Sequence, residues 1–323
     1  MNFKVTSSWL YLFGLLLLSG ITVVTAQSDI ERGRELFKNK RYSEAKPIFE
    51  GILNGNEKNA EANYYLGMIY WRYVGDLDKA SELLETATEN DESNAQYHFL
   101  YSGVLGVRAM RSNPIKQAYL ATKIRNQLEK TIELEPTHVD ARYNLIQFYI
   151  MAPGFMGGSI EKAKAQAGAL VKYNAARGYI AYAQIATNEK DDASAENYFF
   201  KAIAADPSLP GAYHQLGYLY VKLKRPADAV KQFQKLTEVD PTNANSFDSL
   251  GDGFIANNQL DEAIESFKKA VALDPTFSAS VFNLAQCYEK KNMIEEAKAQ
   301  YRRYIALVPS GSKSDEAREK IKN

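Results

Sequence analysis

The sequence predicts an all-α chain built from stacked helix pairs. Three observations predict it. Prolines 207, 241, 275 and 309 recur every 34 residues, and a fixed spacing in this range marks a stacked repeat. Between them, apolar and small residues fall at i, i+3, i+4 and i+7, which is one stripe of a helix. No stretch shows the alternating pattern of a strand.

The pattern is clearest from Pro210 to Pro309. The first copy reads Tyr213-x-x-Leu216-Gly217-x-x-Tyr220, then Ala229-x-x-x-Phe233, then Pro241. The second reads Phe247-x-x-Leu250-Gly251-x-x-Phe254, Ala263-x-x-x-Phe267, Pro275. The third reads Val281-x-x-Leu284-Ala285-x-x-Tyr288, Ala297-x-x-x-Tyr301, Pro309. Gly217 and Ala229 are small, so two helices can approach closely while aromatic rings fill the space above and below. The proline stops the second helix because it cannot continue the hydrogen-bond ladder. One pair cannot bury its own stripe, so copies must stack.

This order of large, small, aromatic and proline residues resembles the tetratricopeptide repeat. The resemblance implies a right-handed α–α superhelix whose first helices line a concave face, and that face usually binds peptide. We expect about eight helix pairs plus a C-terminal capping helix.

In chain order, residues 1–26 read as a targeting segment. Lys4 is the positive end, Leu10 to Leu18 the short apolar run, and Val24-Thr25-Ala26 the small residues ahead of a cut that leaves Gln27 first. The run from Trp9 to Val24 is 16 residues, short for a bilayer span of about 20. Export to a bacterial periplasm is expected, with retention as a membrane anchor the alternative.

Residues 27–138 hold repeats one to three. The first uses Gly33, Leu36 and Phe37, then Ala45 and Phe49. The second uses Leu66, Gly67 and Tyr70, then Ala80 and Leu84, with one extra residue in its turn at Tyr73 to Asp76. In the third, about ten inserted residues and Ser112-Asn113-Pro114 predict a long second helix from near Pro114 to Leu134, capped by asparagine with proline first. Residues 139–209 hold repeats four and five, with an enlarged turn from Met151 to Ser159. Residues 210–311 hold the three regular repeats, and 312–323 the polar cap.

Lys plus Arg equals Asp plus Glu at 39 each, so net charge makes no case for nucleic acid or an anionic membrane as the main partner. The membrane contact expected is the N-terminal segment, if it is kept. The single cysteine, Cys287, excludes an internal disulfide and suits a buried apolar role. The histidines 98, 138 and 214 lie in different repeats without metal-ligand spacing. No metal or other cofactor is expected. The loop Gly154-Phe155-Met156-Gly157-Gly158-Ser159 precedes a helix but lacks the Gly-Lys-Ser/Thr ending of a phosphate loop. A hydrolase or transferase using that loop is therefore the remoter alternative to a non-enzymatic scaffold.

In the resemblance, the buried stripe takes repeat positions 4, 7, 8 and 11 and the open face takes 2, 5, 6, 9, 12 and 13. The candidate protein-binding residues are Tyr64, Tyr65, Met68 and Trp71 in repeat two, Phe99 in repeat three, and Tyr143, Asn144 and Gln147 in repeat four. They continue with His214 and Tyr218 in repeat six, Asp248 and Asp252 in repeat seven, and Asn283 and Gln286 in repeat eight. The N-terminal members are aromatic and the C-terminal ones polar. The aromatic rings either meet a partner or pack against neighbouring repeats. Asn144 and Asn283 suit a peptide backbone. Relatives that hold chaperone C-termini place lysine, asparagine and arginine around such an asparagine. Here Phe99 and Gly103 stand before Asn144 and Arg177 and Ala181 after it, so the cationic clamp is missing and a chaperone-tail adaptor is not expected. The expected role is a protein- or peptide-binding scaffold, and membrane-anchored assembly of an envelope complex is the alternative.

Overall fold

The computed structural model describes residues 28–322. The proposed targeting segment lies outside them. Among the described residues there are seventeen α-helices in consecutive pairs and no strand. They divide into two units, one ending at Gln166 and one starting at Ala167.

The first unit contains α1 (28–38), α2 (Tyr42–Gly55), α3 (Ala60–Ile69), α4 (Leu77–Asn90), α5 (Ala95–Met110), α6 (Pro114–Leu134), α7 (Val139–Met151) and the start of α8 (Ile160–Tyr173). The second contains the rest of α8, then α9 (Ala175–Asn188), α10 (Asp192–Ala205), α11 (Pro210–Lys222) and α12 (Pro226–Val239). It ends with α13 (Ala244–Ala256), α14 (Leu260–Leu273), α15 (Ser278–Lys290), α16 (Ile294–Leu307) and α17 (Ser312–Lys322). Helix starts are fixed by side chains that accept from the first-turn amides, as Asn59, Asp76, Asn94, Asn113, Asn174 and Asp191 do. Pro114, Pro210 and Pro226 take the first-turn places where a missing N–H does no harm.

Five of the pairs close around one ring, and repeat two closes around Leu84. Phe49, Phe199, Phe233, Phe267 and Tyr301 on second helices are almost fully buried. The small residue of the first helix makes room for that ring rather than for a backbone. A Cβ added at Gly251 would sit 2.5 Å from Phe267 Cε1, and one at Gly217 would collide with Phe233. Successive pairs share these clusters: α9 to α13 contribute to one apolar core and α13 to α17 to the next. The cap α17 begins at Ser312. Buried Ser314 ties it down by donating its Oγ to Val308 O at 2.7 Å.

Turns within the regular pairs share a device. Lys190, Lys224, Asn258 and Asn292 have φ between 55° and 63° and follow one another at the repeat period. The next amide then reaches back to the first helix, as Arg225 N does to Tyr220 O at 2.9 Å and Gln259 N to Phe254 O at 2.9 Å. This is the Schellman closure of a helix end. The extra residue in repeat two is absorbed as a wide π-turn over Tyr70–Val74, closed by Gly75 N on Tyr70 O at 2.8 Å. The enlarged turn of repeat four folds as a short 3-10 turn, Gly154–Met156, lying against α6.

Candidate functional site

The candidate residues lie on first helices, apart from Trp71 in the π-turn that follows α3, and each unit carries its own set. In the first unit α3 and α5 interlock through rings. Tyr65 stacks on Phe49 with centroids 5.2 Å apart and meets Phe37 edge-on. Tyr64 stacks on Tyr97 at 4.7 Å. Trp71 lies over Gly103, where an added Cβ would come 3.3 Å from its ring. Met68 packs into the α3–α6 core, and Phe99 tilts against the His138 ring at 4.5 Å. All five side chains are half-buried, so each joins adjacent repeats and keeps one edge accessible. On α7, Asn144 is exposed while Tyr143 and Gln147 are half-buried.

In the second unit the same face is polar and continuous. Gln184 on α9 donates to Gln215 on α11 at 2.7 Å. His214 lies edge-on to Tyr218 at 5.0 Å, and its Nε2 is 3.4 Å from Asn245 Nδ2 on α13. The Tyr218 hydroxyl donates to Asp252 Oδ2 at 2.9 Å and approaches Ser249 Oγ at 3.4 Å. Asn283 on α15 reaches Asp252 at 3.4 Å and Asp248 at 3.5 Å. Each first helix is thus cross-linked to the next. Beside Tyr218 lies a cleft of about 320 Å³ floored by Phe199 and Leu219 and edged by Gln184, His214 and Lys222.

The two carboxylates differ in depth. Asp248 is only 7% exposed and accepts from Ser280 Oγ at 2.6 Å. Burial, with the nearby Asp252 charge, pushes its carboxyl up to about 6, against the help of Ser280, Asn283 and Lys313. Asp252 is also raised by burial, opposed by the Tyr218 hydroxyl and Lys313. Burial lowers the His214 imidazole and raises the Tyr218 phenol. Asp248 therefore sits under the face, while Asp252, Tyr218, His214, Asn283 and Gln286 remain accessible in part. Phe282, also at an open-face position, is buried against Tyr301 and Tyr304. Ser280, which the sequence reading passed over, holds Asp248. Its signal was a small polar residue one turn before Asn283.

The other residues weighed have structural posts. Cys287 is fully buried and burial pushes its thiol up to about 11. His98 bridges Gln127 and the Glu92 carbonyl, and His138 accepts from Ala141 N as a helix cap. In the Gly-rich loop the amides of Met156, Gly157, Gly158 and Ser159 all donate to carbonyls of the same turn or of Tyr149. Gly157 has φ +99° and lies against the Arg125 guanidinium, and a Cβ at Gly158 would strike Ala152 O. Those glycines serve backbone geometry, and these four amides are already bonded within the fold.

Sequence models described as tetratricopeptide repeat match residues 36–102, 210–243 and 254–318, about half of the chain. The chain belongs to the tetratricopeptide repeat family. A tetratricopeptide repeat protein from Parabacteroides merdae superposes with a TM-score of 0.62 at 17% identity, over 81% of this chain and 98% of its own. YrrB, described as a TPR protein with an unusual peptide-binding site, matches at a TM-score of 0.44 and 21% identity, over 59% of this chain and 97% of its own. At 17% identity the likeness to the Parabacteroides merdae protein speaks for the tetratricopeptide fold alone. No curated protein matches the chain.

Proposed function

We propose that this tetratricopeptide repeat protein is a non-enzymatic scaffold that binds a protein or peptide along its first helices, within the cell envelope. The observation that carries this reading is the cross-linked row on α9, α11, α13 and α15. It holds amide, hydroxyl and carboxylate groups at intervals set by the repeat, pre-ordered by their mutual bonds. A chain lying across it would meet both donors and acceptors, and ordering them beforehand lowers the entropy lost on binding. The cleft beside Tyr218 adds an apolar seat for one side chain. In the first unit the accessible edges of Tyr64, Trp71 and Phe99 offer stacking instead of hydrogen bonds.

The envelope assignment rests on the apolar run from Leu10 to Leu18 and the small residues before Gln27. Among the described residues no helix is long and apolar enough to cross a membrane. If the N-terminal segment is kept, the protein becomes a membrane-anchored assembly factor, and the mass of the mature chain separates the two. The loop 154–159 lends an enzyme no support, since its glycines and amides are committed to the turn.

The test is site-specific photo-cross-linking in the native envelope. A benzophenone side chain replacing Asn283 or Tyr218 should join a defined protein, and one replacing exposed Lys231 on α12 should not. Equal capture from Lys231, or none from the first helices, would discard the reading.

A further inference from the structure

We propose that one edge of the first unit, formed by the turns of repeats two, three and four, docks on an anionic lipid bilayer. This inference does not depend on the partner reading above. Elsewhere the turns within pairs present Lys40, Lys190, Lys224, Asn258 and Asn292. On this edge they present large apolar side chains. Tyr73 is 58% exposed, Met110 76%, Ile115 85%, Tyr119 61%, Met151 79% and Phe155 84%. Exposed apolar groups grouped in this way mark an interaction surface.

The three turns adjoin. Gly75 to Asp78 of repeat two line one cleft with Arg108, Arg111, Ser112 and Lys116 of repeat three. The 3-10 turn of repeat four packs on α6. At the start of α6 the residues from Pro114 to Gln117 are all exposed, so this end of the long helix stands proud of its neighbours. Ile115 and Tyr119, at i and i+4, share one face of it.

Charge selects the occupant. Residues 93–128 contain no aspartate or glutamate and five cations, Arg108, Arg111, Lys116, Lys123 and Arg125. Arg108 and Lys123 are paired to Asp78 and Glu85. Arg72, Arg111 and Lys116 are exposed and have no carboxylate at ion-pair distance among the described residues. The neutral total charge of the chain conceals this local excess. Protruding apolar tips flanked by unpaired cations are what an anionic bilayer accepts, the tips entering the acyl boundary and the cations meeting headgroups. A protein partner would instead call for a packed apolar pocket, and the cleft between these turns is lined mainly by charged groups, Asp76, Asp78, Arg108, Arg111 and Lys116.

The test uses a chain beginning at Gln27, which keeps every described helix and removes the apolar run 10–18 as a source of lipid affinity. Trp71, beside this edge, is then its only tryptophan. The chain should float with phosphatidylglycerol-containing vesicles and bind phosphatidylcholine vesicles at least about tenfold more weakly. Brominated phosphatidylglycerol should quench Trp71. Ile115→Ser with Phe155→Ser should lower binding about tenfold or more, and Arg111→Gln with Lys116→Gln by about tenfold. These exposed changes should leave the melting curve in place. The charge-matched pair Lys231→Gln and Lys298→Gln in the second unit should leave binding as it was. No binding to phosphatidylglycerol vesicles, or equal losses in the two charge pairs, would overturn the proposal. So would a photo-cross-linker at Ile115 that joins protein rather than lipid, since the edge would then be a protein interface.

Discussion

Tyr218 on α11 donates its hydroxyl to Asp252 on α13 across 2.9 Å, and the two residues are 34 positions apart, one full period. They occupy the same place in consecutive repeats. Their bond therefore ties one copy of the motif to the next on the accessible face, where the apolar core does not reach. Tyr218→Phe keeps the ring against His214 and Phe233 and removes only the hydroxyl. It should lower stability by about 0.5–1.5 kcal/mol in urea unfolding. It should also weaken peptide capture, because Asp252 then loses a donor that orients it. An unchanged unfolding midpoint would show that water replaces the hydroxyl without loss.

Asp248 gives a pH dependence whose sign can be fixed. Its carboxyl is raised in the folded chain from its ordinary 3.8 to about 6, chiefly by burial. Between those values the folded state holds a proton that the unfolded state has released. Its contribution to stability therefore grows as pH falls through about 6 and levels off below about 4. Above 6 the buried charge is a penalty. Asp248→Asn removes that charge and keeps an acceptor for Ser280 Oγ. It should be more stable than the parent at neutral pH by about 1–3 kcal/mol, the gap closing under acid. A gap that stayed constant in urea titrations at several pH values would show that the carboxyl titrates alike in the folded and unfolded chain, against this account.

Two glycine-to-alanine changes should act with opposite sign. At Gly251 the new methyl would sit 2.5 Å from Phe267 Cε1 and 2.6 Å from Cζ, and that ring is fully buried with nowhere to turn. The loss should be about 1–3 kcal/mol. At Gly106, inside α5, an added Cβ meets nothing within 4 Å. There the gain should be about 0.5–1 kcal/mol from helix propensity. Thermal melts of the two variants that moved the same way would contradict this account of why the repeat wants a small residue at that place.

Helix pairing was legible because stacking repeats the same steric demand every 34 residues: Leu216, Leu250 and Leu284 recur in step, as do Phe233, Phe267 and Tyr301. The long α6 was legible from Asn113-Pro114, whose cap and proline have a strong local preference. The form of the extra residue in repeat two was not, since a wide helical turn and a longer loop differ little in energy. The first-helix positions could be named from periodicity, but their linkage could not. Tyr218, Asp252 and Asn283 meet across 31 to 34 residues through rotamers no local pattern records. Asp248 looked like an open-face residue by register and is buried instead, because α15 sets Ser280 over it. The rings of Tyr64, Tyr65, Trp71 and Phe99 suited either a partner or a neighbouring repeat. They touch the neighbour and keep an edge free, and sequence spacing cannot divide a ring in that way.

The turn residues with positive φ give a graded test of backbone strain. Lys224 has φ 55° and Asn258 has φ 58°, both in the left-handed region, and Gly75 takes the matching place in repeat two with φ 83°. A side chain with a Cβ is disfavoured there by roughly 1–2 kcal/mol, less for asparagine, whose amide bonds locally. Lys224→Gly relieves that strain but also frees the unfolded chain, which takes back about 0.4–1 kcal/mol. A net gain of about 0.5 kcal/mol is expected for Lys224→Gly, about zero for Asn258→Gly, and a loss of about 1 kcal/mol for Gly75→Lys. The three changes lie on the surface and touch no core ring, so their order in urea unfolding reports the backbone alone. If Gly75→Lys were neutral, the π-turn would be able to relax out of the left-handed region, and the closure of repeat two would differ from that of its neighbours.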